Sequence, residues 1–228
     1  VLKNVSFNLR KGEILGIAGL AGAGRTEVLR AIIGADKVEE GVIRLEGKKQ
    51  CFRSPKDGIK AEMGIVPEER KTQGLLLKQN IIYNVGIAGL KKFKKYGLLN
   101  KRLEEKAARS YIKLFHIRPS MPKAITKNMS GGNQQKVVLA KCLHTDCKIL
   151  LVDEPTRGID IGAKQEIYQI LNELVEEGMS IIMVSSELPE LIGMCNRILV
   201  MCEGRITGTI KAEEASEELL LSYATRFA

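Results

Sequence analysis

Apolar residues in this chain fall into two kinds of run. Short, nearly continuous ones, Ile14 to Gly19, Lys148 to Val152 and Ser180 to Val184, read as strands buried on both faces, as in a parallel sheet. Between them lie stretches with helical spacing. These are Glu27 to Ile33, then Leu103, Ala107, Tyr111, Leu114 and Phe115, then Val137, Val138, Ala140 and Leu143, and last Ile167, Ile170, Leu171 and Leu174. Strands alternating with helices predict an α/β fold. Weaker signals fill the gaps. Val5 to Leu9 alternates like a strand and turns at Lys11-Gly12-Glu13, Val42 to Leu45 is a short strand, and Ser54-Pro55 opens a short helix. Gly64 to Pro67 reads as a strand running into a loop, and Asn80 to Arg118 as helical until Pro119. Asp160 opens a long helix that Gly178 ends. Arg197 to Cys202 and Arg205 to Ile210 predict a hairpin around Glu203-Gly204, and Glu213 to Tyr223 a terminal helix.

A length of 228 residues suits one domain, or a core with a helical subdomain attached. The division expected is a core of residues 1–79 and 145–228 with a helical subdomain at about 80–144. No apolar run approaches a membrane span and the first residues do not resemble a signal peptide, which points to a soluble, unexported protein. Five cysteines without a C-x-x-C pair, and only two histidines, favour reduced thiols over a metal site. Cys202, at the end of Leu-Val-Met-Cys, reads as core packing. The formal net charge of +9 is densest at Lys91-Lys92-Phe93-Lys94-Lys95-Tyr96. A solvated loop or a contact near a membrane surface accounts for that patch better than nucleic acid does.

Three stretches carry chemistry. Gly19-Leu20-Ala21-Gly22-Ala23-Gly24-Arg25-Thr26-Glu27 lies between a buried strand and a helix, the context of a phosphate loop. Its glycines let successive N–H groups curl around phosphate oxygens, and Thr26 offers a hydroxyl to Mg²⁺. The usual lysine is replaced by Arg25, whose wide planar fork is expected to swing outward. Next, Lys148 to Val152 delivers Asp153 and Glu154 to the C-terminal edge of a sheet, where ligands of such sheets bind. Third, Ser130 is a good N-cap, and Gly131 and Gly132 leave N–H groups uncovered at a helix start shaped for an anion. His144 falls near the other end of that helix, where a partial positive charge is tolerated.

The stretch MSGGNQQ, Met129 to Gln135, followed by ILLVDEPTRGID, Ile149 to Asp160, resembles the signature motif, Walker B strand and D-loop of an ATP-binding cassette (ABC) ATPase. The details NQQKV and TRGIDIGAK resemble the second, C-terminal cassette of the ATP-binding subunit of ribose- and galactose-type importers. The resemblance covers essentially the whole chain. It implies a P-loop NTPase cassette: a mainly parallel core sheet, an antiparallel β portion and an inserted helical subdomain. It also implies ATP and Mg²⁺ as ligands. Thr26 and Asp153 would hold the metal and Glu154 would be catalytic. Glu68 stands where the family has a glutamine, and Ser186 where most active members have a histidine that contacts the γ-phosphate. Residues Gly19 to Glu27, with Ser130, Gly131, Gly132, Asn133, Gln134 and Asp160, would contact nucleotide.

Partners implied are a second cassette, transmembrane permease subunits and, indirectly, a sugar-binding protein, at the cytoplasmic face of the membrane; no nucleic acid is expected. The family has an upstream strand bearing an aromatic that stacks on adenine, and nothing here matches it, so the chain is expected to be part of a longer two-cassette protein. Lysine, glutamine and histidine are thus all altered, while Thr26, Asp153 and Glu154 are kept and the signature is nearly intact, with only its leading leucine replaced by Met129. The expectation is a degenerate site of its own and a signature that completes the partner cassette's site. Alternatives are a non-transport ABC ATPase acting on nucleic acid or the ribosome, a nucleoside importer cassette, and a nucleotide-free structural cassette. A GTPase is disfavoured, since Asn100-Lys101 is followed by Arg-Leu and no guanine-reading aspartate.

Overall fold

Buried parallel strands need backbone partners on both sides and helices over both faces, and the observed elements follow that requirement. The structure is a computed structural model and describes residues 1–95 and 98–226. In chain order, β1 (Ile14–Gly19) leads into α1 (Arg25–Ile33), followed by β2 (Ile43–Leu45), β3 (Lys48–Gln50), α2 (Pro55–Lys60) and β4 (Met63–Val66). Next come α3 (Ile81–Gly86), β5 (Lys94–Lys95), β6 (Leu98–Leu99), α4 (Lys101–Leu114) and α5 (Gly131–Leu143). Then follow β7 (Ile149–Asp153), α6 (Ile161–Glu176), β8 (Ser180–Val184) and α7 (Leu188–Met194). The last elements are β9 (Arg197–Cys202), β10 (Arg205–Lys211) and α8 (Glu217–Ala224).

The chain divides into two units, Val1–Ile65 with Lys148–Glu154 and Leu174–Ala228, and Val66–Cys147 with Pro155–Glu173. The first holds the main sheet, in the order β10-β9-β1-β8-β7-β4. There β1 pairs in parallel with both β8 and β9, β7 pairs in parallel with β8, and β10 closes one edge antiparallel to β9. Leu15 and Ile17 of β1, Val28, Leu29 and Ile33 of α1, Leu151, Ile182 and Leu199 form its core. Each such buried aliphatic contributes roughly 1.5–3 kcal/mol of transfer free energy. β2 and β3 make a separate antiparallel pair. Strand β3, Lys48-Lys49-Gln50, has no apolar alternation and was not predicted.

The second unit is built around α5, which is buried nearly all round: Gly132, Gln134 to Ala140 and Cys142 are all inaccessible. Buried Lys136 is tolerated there because its ammonium reaches Glu166 Oε2 of α6 at 2.7 Å. Asn84 is also buried, and its amide donates to the carbonyls of Leu76 and Asn80 at 3.1 and 3.0 Å.

Four expectations need correction. Val5 to Leu9 alternates partly buried with exposed positions but forms no strand; among the described residues no backbone faces it in a ladder. The span Asn80 to Arg118 is not one helix: a 3₁₀ stretch and the β5–β6 pair intervene between α3 and α4. The buried stripe of α4 is Ala108 and Ile112, continuing to Phe115, whereas Leu103 and Leu114 are exposed. Finally, His144 is buried and stacks on Phe93 with ring centroids 4.8 Å apart. Burial, and then the charge of Lys92, lower its pKa, so the helix end does not carry a histidine cation. Phe93 is buried too, and Lys92 pairs with Asp146 at 2.5 Å, so this part of the lysine patch offers no open aromatic to a base. Tyr96 lies outside the described residues. Cys142, Cys147, Cys195 and Cys202 are buried, and none of them forms a disulfide. No helix among the described residues is long and apolar enough to cross a membrane.

Candidate functional site

Parallel neighbours end at the same edge. Ile17 of β1 lies opposite Val184 of β8, and Val184 opposite Asp153 of β7. This register places the loop after Gly19, Ser185-Ser186 and Asp153-Glu154 side by side at the strands' carboxyl ends.

In the loop, Leu20, Ala21 and Gly22 are exposed, Ala23 and Gly24 are buried, and Arg25, Thr26 and Glu27 are intermediate. Gly24 is the N-cap of α1 at φ +99°, where a methyl group would come within 3.0 Å of Leu2. No side chain caps α1, so its first N–H groups and the positive end of its dipole remain for an anion. Ala23 is less available, because its N–H already donates to the Leu20 carbonyl at 3.0 Å.

Arg25 corrects the expectation of an outward swing. Its Nη1 donates to the Ser185 carbonyl at 2.7 Å, and Nη2 lies 3.6 Å from Glu154 Oε1, with the two side chains only 13% and 9% exposed. Ser186 Oγ donates to the other oxygen, Glu154 Oε2, at 3.0 Å. Glu154 is further fixed by its backbone N–H, which donates to the Val184 carbonyl at 2.9 Å. Its φ of +48° is left-handed, a conformation that costs a side-chain-bearing residue on the order of 1–3 kcal/mol. Sequence reasoning could not find the Ser185 carbonyl, since a backbone acceptor leaves no trace in side-chain identity.

Asp153 is buried beneath this pair. Burial pushes its carboxyl up to about 6; a hydrogen bond from Thr26 pulls the other way, the Glu154 charge raises it and Arg25 lowers it. Asp153 Oδ1 has no hydrogen-bond partner. An orphan carboxylate oxygen beside a threonine hydroxyl is the oxygen donor set a hard divalent cation takes, so these residues fit Mg²⁺. Among the described residues no group of three or more His, Cys, Asp or Glu could hold a metal, so such a cation would complete its shell with phosphate oxygens and water.

The remaining sequence-derived residues lie in the second unit. Ser130 is exposed, caps α5 and accepts from Asn133 Nδ2 at 2.9 Å, while Asn133 Oδ1 accepts from the Arg118 backbone at 2.6 Å. Gly132 is covered by α6, since a methyl there would lie 2.5 Å from Ala163 Cβ. Gln134 is inaccessible and donates to the Thr126 carbonyl at 3.0 Å. Asp160 serves as a cap, accepting from the Ala163 N–H at 3.0 Å. Glu68 is partly exposed, and its carboxylate pairs with the Arg157 guanidinium. Two arginines, Arg70 and Arg157, were given no role by the sequence reading. Arg70 Nη1 and Nη2 donate to the carbonyls of Arg157 and Gly158 at 2.5 and 3.0 Å, and Arg157 reaches back to Glu68 and, at 3.4 Å, to Glu69.

A glycine loop between a buried parallel strand and an uncapped helix, with an Asp-Glu pair from the next strand but one at the same edge, defines a P-loop nucleotide-binding class of protein. Comparison narrows the class. The model of a family described as ABC transporter matches residues 2–157, and the chain belongs to that family. It is 47% identical over 222 residues to the ribose import ATP-binding protein RbsA of Oceanobacillus iheyensis, covering 97% of this chain and 45% of that one. It is 48% identical over 225 residues to the putative ribose/galactose/methyl galactoside import ATP-binding protein 1 of Rhizobium etli, covering 99% and 43%. The chain therefore spans less than half the length of these relatives. Among solved structures, a nucleotide-free ATP-binding cassette from an ABC transporter superposes with a TM-score of 0.81 at 22% identity, covering 97% of this chain and 88% of that one. A dimeric cassette in a post-hydrolysis state with ADP and phosphate gives 0.78 at 25% identity, covering 92% and 90%. The fold is that of an ATP-binding cassette.

Proposed function

We propose that this chain is the second cassette of the ATP-binding subunit of a monosaccharide importer. Its own site binds Mg²⁺-ATP but turns it over poorly, and its Ser130-Gly131-Gly132 end completes the site on a second cassette. The relatives' names support sugar import and the ATP-driven role, and their length supports a two-cassette parent. Such a subunit sits at the cytoplasmic face of the membrane through permease subunits rather than through a span of its own.

One observation carries the degenerate-site reading: the pairing of Arg25 with Glu154. Transfer of a phosphoryl group to water depends on a cation placed on the phosphates and a carboxylate free to orient the water. Here the loop's cation and the strand's carboxylate neutralise each other, and the guanidinium is further tied to a carbonyl. Removing even one positioned contact from such a transition state costs about 3 kcal/mol, roughly a hundredfold in rate. Binding is less affected, because the α1 terminus and the Thr26–Asp153 pair are intact. Mg²⁺ held by Thr26 and Asp153 would neutralise phosphate charge when bound.

The test uses the intact two-cassette parent assembled with its permease. Ser130→Arg is expected to abolish ATP hydrolysis, by placing a bulky cation in the signature, while Arg25→Ala reduces it only severalfold. Equal losses would contradict the division of labour.

A further inference from the structure

The Arg70 guanidinium, in the second unit, is placed where three backbone segments converge. Its two terminal nitrogens donate to successive carbonyls, Arg157 and Gly158, of the loop between β7 and α6. Its Nη2 also lies against Gly131, close enough that a methyl on that glycine would come within 2.8 Å of it. Arg157 returns the contact, its guanidinium pairing with Glu68 and Glu69 just before Arg70. The two arginines thus grip each other's segments in opposite directions, one through carbonyls and one through carboxylates. Arg70 begins a π-helical turn, Arg70–Gly74, an uncommon conformation that recurs at functional positions. Burial lowers the Arg70 pKa, and its Nε has no partner, so the residue is held at a cost that surface solubility does not explain. The same end of α5 is fixed to α6 by the Gly132–Ala163 approach and by the Lys136–Glu166 pair.

We propose that Arg70 is a positioning residue: it locks the loop after β7 to the first residues of α5, so that Ser130 and Gly131 present a fixed surface to the nucleotide on a second cassette. This rests on the reading that the Ser130 end completes a partner's site. The planar fork is what the role requires. Two parallel N–H groups hold two consecutive carbonyls in one orientation, whereas an ammonium can hold either carbonyl but does not set the angle between them. The pairing of Glu68 and Glu69 with Arg157 makes the segment around residue 68 part of the same lock, so a partner that displaces that segment also displaces the signature end.

The test compares wild type, Arg70→Gln, Arg70→Lys and Ser130→Arg in the intact parent assembled with its permease, measuring kcat and KM for ATP together with the melting temperature. Arg70→Gln is expected to lower kcat about tenfold, equivalent to ~1.4 kcal/mol, with KM within twofold and the melting temperature nearly unchanged. Arg70→Lys keeps the charge and is expected to recover less than half of the loss. If Arg70→Gln does not fold, Arg70→Lys decides alone: a reduced kcat at wild-type melting temperature supports the lock, and an unchanged kcat overturns it. Wild-type kcat in Arg70→Gln, or full rescue by lysine, overturns it as well. Should Ser130→Arg retain activity, it is the reading of a completed partner site that fails. Loss in Ser130→Arg with no loss in Arg70→Gln removes only the role given to Arg70.

Discussion

Asp153 is the residue on which the metal assignment turns, and its ionisation makes a pH prediction. Its folded pKa of about 6 lies above the ordinary 3.8, so between those values the folded chain holds a proton that the unfolded chain releases. The native state binds more protons in that window, and stability falls as pH rises through it. The difference amounts to on the order of 2–3 kcal/mol. In magnesium-free buffer, Asp153→Asn should flatten the fall in melting temperature between about pH 4 and pH 6. An unchanged slope would assign the proton elsewhere. The carboxylates, the threonine and the glycines were legible in the sequence because loop and strand motifs fix residue type at fixed spacing. The inward turn of Arg25 was not, since its partners are a carbonyl and a carboxylate just past the ends of two other strands. Arg70 stayed hidden for the same reason: carbonyl acceptors are common to every residue.

At the scale of elements, the buried strands β1, β7 and β8 were readable as continuous apolar runs, because both of their faces are covered. Helix α4 was read with the wrong face. Leu103 and Leu114 supply apolar area but lie off the stripe of Ala108 and Ile112, and periodicity alone gave the large leucines too much weight over a small alanine. Helix α7, strand β3 and the pair β5–β6 were missed because seven, three or two residues carry too little pattern. The packing predicts that Ile112→Ala destabilises by about 2–5 kcal/mol, whereas Leu114→Ala changes stability by about 0.5 kcal/mol or less. Denaturant titration of the two variants checks this, and equal losses would mean that the helix packs on its other face.

For the whole molecule, the proposed separation of roles rests on where the chemistry lies. The phosphate loop, Asp153, Glu154 and Ser186 belong to one unit, and Ser130, Gly131 and the Arg70–Arg157 lock to the other. The central claim is that the loop still binds nucleotide although its arginine is engaged with Glu154. Calorimetric titration of this chain with ATP, with and without Mg²⁺, with released phosphate assayed in the same samples, tests it most directly. The account predicts one Mg²⁺-dependent site and no phosphate released during the titration. Steady phosphate release, or no Mg²⁺-dependent binding, would contradict it.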